Sequence, residues 1–90
     1  MAKMGYYVFK THSGNLLEIE QQDKQFILIK RKEGQIKREL ILGYAFRPAR
    51  DADVFQPNSI RDFFDHHVIT KETVTSKIIM VYNIFLNAMQ

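Results

Sequence analysis

Through the first half of the chain, apolar and polar residues alternate in short runs that stop at glycine or aspartate. This is the period-two pattern of a half-buried β-strand. Runs over residues 6–11, 15–21, 25–31 and 36–46 predict four strands, the clearest being the second, where Leu17 and Ile19 alternate with Glu18 and Glu20. Ser13-Gly14, Asp23-Lys24 and a turn around Glu33-Gly34 separate the runs, so the strands are expected to form an antiparallel meander.

Register then decides which residues share a face, because a one-residue slip carries a whole strand's side chains to the other side. With two-residue turns at Ser13-Gly14 and Asp23-Lys24, Val8 faces Ile19 and Ile19 faces Leu28. One face then collects Tyr6, Val8, Leu17, Ile19, Phe26 and Leu28. A two-residue third turn sets Lys30 opposite Lys37 and Leu28 opposite Glu39, and like charges directly opposite destabilise a pair. A three-residue turn, Lys32-Glu33-Gly34 with a bulge at Gly34, removes that clash and extends the apolar face through Ile36, Leu40, Leu42 and Tyr44. The bulged turn is therefore the expected one.

The opposite face is less polar than a solvent-facing one should be. It carries Tyr7, Phe9, Leu16, Ile27, Ile29 and Ile41 among Glu18, Glu20, Lys37 and Glu39. Its apolar positions Tyr7, Phe9, Ile27, Ile29 and Ile41 are the expected interface with a partner.

The pattern changes near Arg47-Pro48, since proline donates nothing to a sheet ladder. Beyond it, Asn58 or Ser59 is placed to cap a short helix over residues 60–68. Thr70 is placed to cap a longer one running to about residue 88. Val74, Ile78, Val81, Tyr82, Phe85 and Met89 recur at helical spacing, with Ile79, Met80, Ile84 and Leu86 spreading round the cylinder. The expected fold is α+β: a four-stranded antiparallel β-meander followed by a short helix and a long C-terminal helix packed on the sheet. All 90 residues form one domain, with the sheet over about 5–47 and the helical part over about 58–89.

Composition changes this picture little. Hydrophobic residues at 46% and charged residues at 26% describe an ordinary globular chain. The absence of cysteine excludes disulfides and Cys-ligated zinc, and favours a reducing, cytoplasmic setting. No apolar run reaches the ~20 residues that cross a bilayer as a helix, so no membrane contact is expected.

The net charge of +3 matters through its placement. Lys30, Arg31, Lys32, Lys37 and Arg38 cluster round the third turn, with Arg47 and Arg50 able to extend the patch if the following loop folds back. Such a ribbon can neutralise nucleic-acid phosphates, although no aromatic platform for single strands interrupts it.

Asp62 and His66 stand one helical turn apart with Asp65 and His67 beside them, a spacing that supports an ion pair better than a metal site. Tyr44, Phe46, Phe55, Phe63 and Phe64 are positioned to fasten the long connection to the core. The glycines are scattered and no serine sits in a nucleophile motif, so neither enzyme chemistry nor a cofactor or bound metal is expected. The functional expectation is a small non-catalytic interaction or regulatory module, homodimeric, that binds a protein through the second sheet face or a helix surface. Nucleic-acid binding by the basic hairpin is the alternative.

Overall fold

A computed structural model describes residues 3–48 and 53–88. The chain is nearly all β. Six strands, β1 (Lys3–Thr11), β2 (Leu16–Gln22), β3 (Gln25–Lys32), β4 (Gln35–Ala45), β5 (His67–Thr70) and β6 (Ile78–Ala88), form one sheet in the order β5-β4-β3-β2-β1-β6. Every pairing is antiparallel. The sheet curls until its ends meet. Thr75 N–H donates to Val68 O (3.0 Å), Ile78 N–H to His66 O (3.0 Å), and His12 N–H to Lys77 O (2.7 Å), so residues 74–78 bond both β5 and the end of β1. Closing a sheet on itself hides its edges and encloses a core.

That core is built from one face of each central strand. Tyr7 and Phe9 of β1, Ile19 of β2, Phe26 and Leu28 of β3 and Ile41 of β4 pack with Val68 and Ile78. The connection over residues 53–66 supplies the plug. A single 3-10 turn (Ile60–Phe63) sends Phe63 inward, where its ring meets Phe26 edge-on at 5.1 Å and Tyr44 edge-on at 6.2 Å. Asp62 holds the turn by accepting from the Asn58 and Ser59 N–H groups at 2.7 and 3.2 Å.

The expected α+β architecture is corrected here. Residues 78–88 form β6 where a long C-terminal helix was expected, and residues 67–70 form β5 where a short helix was expected to end. Two causes are visible. Val74, Thr75, Ile78, Ile79, Val81 and Ile84 are β-branched, and such side chains lose χ1 freedom in a helix. In addition, the β1–β6 ladder jumps from Asn83 to Val81 and from Met80 to Ile78, so Tyr82 and Ile79 are bulged. Two bulges interrupt the alternation that marks a strand, and apolar residues on both sides of the breaks satisfy a helical period as well. Thr70 does cap, but it caps a turn: its Oγ1 accepts from the Glu72 and Thr73 N–H groups at 3.2 and 2.9 Å. The 3-10 segment ends at Phe64, whose backbone is extended, and Asp65 follows in the left-handed region at φ 66°. Met89 lies outside the described residues.

The register also differs at two turns out of three. Ile19 faces Leu28 across Asp23-Lys24 as expected. Tyr7, not Val8, faces Ile19, because His12-Ser13-Gly14 is a three-residue loop with Gly14 at φ 89°. The third turn is the short one: Glu33 (φ 51°) and Gly34 (φ 79°) make a two-residue turn, and Lys30 does stand opposite Lys37. Two positive φ values in succession are what a type I′ hairpin requires. The expected faces of β1, and of β4 as far as Leu42, are therefore exchanged, while those of β2 and β3 stand and Tyr44, beyond the irregularity between Ile41 and Gly43, packs against the core as expected.

Gly43 marks where the long connection crosses β4. Tyr44 and Phe55 exchange backbone hydrogen bonds of 3.0 and 2.8 Å, and a Cβ on Gly43 would sit 2.3 Å from Phe55 O. The obstacle is backbone, so Gly43→Ala is expected to cost about 1–3 kcal/mol by forcing that crossing apart, measured by urea unfolding. An unchanged midpoint would mean that the connection is loosely held.

Candidate functional site

Strand alternation divides the basic hairpin between two surfaces. Lys30 and Lys37 lie on the core-side face, and Arg31 and Arg38 on the outer face. On the core side their charges converge on Glu39, whose Oε2 is 3.2 Å from Lys30 Nζ and 3.7 Å from Lys37 Nζ. Its Oε1 accepts from the Thr70 and Thr73 hydroxyls at 2.6 and 2.9 Å, and Lys30 also donates to Thr73 Oγ1. Lys37 pairs in addition with Glu72 at 2.5 Å. The like charges that argued against this register are thus bridged by two carboxylates, Glu39 of β4, which Thr70 of β5 and Thr73 of the following connection hold in place, and Glu72 of that connection.

Burial by itself would raise the Glu39 pKa. The hydroxyl donors and the charge of Lys30 outweigh it and hold the carboxyl at about 2. The cluster is a clamp between the β3–β4 hairpin and the connection after β5.

The outer face carries a second set of pairs. Arg31 Nε donates to both oxygens of Glu18 at 3.0 and 2.8 Å, Tyr6 donates its hydroxyl to Glu18, and Arg38 lies 3.3 Å from Glu20. Burial would raise the Glu18 pKa, but the bonds from Arg31 and Tyr6 prevail and lower it. Lys32 is the hairpin cation with no carboxylate partner among the described residues. Arg47 is exposed just past the end of β4, at the far end of that strand from the Glu33-Gly34 turn, and does not extend the patch. Arg50 lies outside the described residues.

The five expected interface positions do not share a face. Tyr7, Phe9 and Ile41 are buried in the core, whereas Ile27 and Ile29 lie on the outer face, Ile27 half-buried and Ile29 buried beneath its neighbours. Sequence reasoning missed their outer neighbours Ile36, Leu40 and Leu42, which it had assigned to the core. These are 56%, 52% and 45% exposed, and Leu16 on the same face is 54% exposed. The usable signal was Glu39 itself: an acid opposite Leu28, two residues on from Lys37 and diagonal to Lys30, is a ready-made bridge.

His66 Nδ1 contacts the Asp62 backbone carbonyl at 2.9 Å, while the Asp62 carboxylate is occupied at the 3-10 turn. The His66 ring lies against Tyr44 (4.8 Å) and Phe46 (4.5 Å). His67 Nδ1 contacts Thr75 O at 2.8 Å. Folding brings His12 to the same cavity as His67, beside Ser13, Ser76 and Lys77. Among the described residues no group of three potential ligands could hold a metal. Over the crossing at Gly43, Phe55 stacks on Tyr44 and meets Phe46 edge-on, while Phe64 lines a different cavity.

No protein-family model, curated protein or solved structure matches this chain. Among the described residues no helix is long and apolar enough to cross a membrane.

Proposed function

We propose that the protein is a non-catalytic interaction module that pairs with a second copy of itself through the outer face of its sheet. The observation carrying this reading is the exposure of Leu16, Ile36, Leu40 and Leu42 on one sheet face. Apolar side chains grouped on a regular surface favour association. The four charges Glu18, Glu20, Arg31 and Arg38 of this face pair within one chain, Arg31 with Glu18 and Arg38 with Glu20, so they set no net charge of one sign against a second copy of the same face, as an isologous contact requires.

The helix-surface variant of this idea has no element to stand on among the described residues, and the nucleic-acid alternative draws less support, because four of the five hairpin cations are paired and these four are split between two faces. A cysteine-free chain of this kind is compatible with a cytoplasmic location.

Sedimentation equilibrium of the native chain is expected to give twice the monomer mass of 10.6 kDa. Leu40→Lys replaces an exposed side chain, so it should leave the thermal transition of the monomer fold in place while weakening the dimer by about 2 kcal/mol. A native protein that stays monomeric at micromolar concentration defeats the proposal.

A further inference from the structure

A cavity of about 380 Å³ opens between the 3-10 turn and the β1–β6 pair, lined by Tyr7, Phe9, Ile60, Arg61, Phe64 and Val81. Its inner wall is Tyr7 and Phe9, 5% and 2% exposed, with rings stacked 6.3 Å apart. The Tyr7 hydroxyl is already used, donating to Gln21 Oε1 at 3.1 Å. The chain leaves the 3-10 turn with Phe63 pointing into the core and Phe64, 42% exposed, at the cavity rim. Arg61 is the one charged residue of the lining, and no carboxylate among the described residues pairs with it. Arg31 and Arg38 on the sheet, by contrast, each have an acid beside them.

We infer that this cavity binds a hydrocarbon-tailed carboxylate, with its tail against Phe9, Ile60, Phe64 and Val81 and its head on the Arg61 guanidinium. The chemistry selects this class. Aromatic and aliphatic walls reward apolar area and offer no further hydrogen-bond partners to a polar ligand. One guanidinium matches one carboxylate, which it grips with two parallel N–H donors. The volume lies within the ordinary range for small-molecule sites. The cavity faces the interior of the curl and the proposed dimer surface is the outer face, so occupancy and self-association are separate properties.

Decanoate, below the concentration at which it forms micelles, is the probe. Calorimetric titration of the native chain should show saturable one-to-one binding, with amide chemical-shift changes at Phe9, Phe64 and Val81. Arg61 is exposed, so Arg61→Gln should fold normally and bind decanoate about tenfold or more weakly, the usual loss for a hydrogen bond to a charged partner. Lys32→Gln, which removes an unpaired cation far from the cavity, should leave the affinity unchanged. Decanol, which has the tail without the charge, should bind the native chain more weakly and be indifferent to Arg61→Gln. Absence of decanoate binding overturns the inference, as does equal affinity for the acid and the alcohol, or an Arg61→Gln variant that binds like the native protein. Oligomeric state measured in the same samples reports separately on the dimer, so failure of one reading does not pass for failure of the other.

Discussion

Phe63→Ala is expected to lower the unfolding free energy by about 3–5 kcal/mol, the range for deleting a buried aromatic ring whose space cannot collapse. Phe63 is fully buried and plugs the curled sheet, edge-on to both Phe26 and Tyr44. The surrounding strands are tied by backbone ladders and cannot move inward to fill the gap. Since domains of this size are stable by only about 5–15 kcal/mol, the variant should be largely unfolded at modest urea concentrations. Phe64→Ala, one residue on, removes a half-exposed ring and should cost far less. The two midpoints, compared by denaturant titration, check the claim that the connection sends one ring in and leaves the other at the rim. Equal losses at the two positions are the result that would sink it.

Glu39→Ala is expected to cost about 2–4 kcal/mol. It strips the buried Thr70 hydroxyl of its acceptor and leaves Lys30 and Lys37 opposite each other with their common counter-charge gone. The same residue sets a pH dependence. Its folded-state pKa of about 2 lies below the ordinary 4.5, so its contribution is fully present above the unfolded pKa and is lost as the pH falls from about 5 through 2. The lowered pKa of Glu18 works in the same direction. The part due to Glu39 is of order 2 kcal/mol once solvent screening of the half-exposed Lys30 is allowed for. Glu39→Gln should flatten the acid limb of the stability profile while keeping most of the packing. If unfolding followed from pH 7 to pH 2 gives parallel curves for the native and Glu39→Gln proteins, the clamp is not what the ion pairs imply.

Both residues show where local reasoning stops. Phe63 was legible as an aromatic that fastens the connection to the core, but its place as the central plug follows from curling the sheet round it. Glu39 was read as a surface acid because the turn before it was counted one residue too long. That count rested on the repulsion between Lys30 and Lys37, a pairwise argument, and on the apolar face that the longer turn completed through Ile36, Leu40 and Leu42. The fold answers it with Thr70, Thr73 and Glu72, which lie more than thirty residues on in sequence.

The sequence by itself determined the strands of the central hairpin and their shared register. There the polar–apolar alternation of residues 17–20, the apolar run at 26–29 and the Asp23-Lys24 turn all agree. It also marked the glycines at which the chain turns. Tertiary structure decided the rest. It set the faces of β1 and β4, because each depends on whether a glycine turn holds two residues or three, and both counts leave an apolar set on either side. It also decided that residues 67–70 and 78–88 are strands. A β-branched, bulged segment carries no clean period of its own, and only pairing with β4 and β1 supplies the hydrogen bonds that make the extended form the stable one.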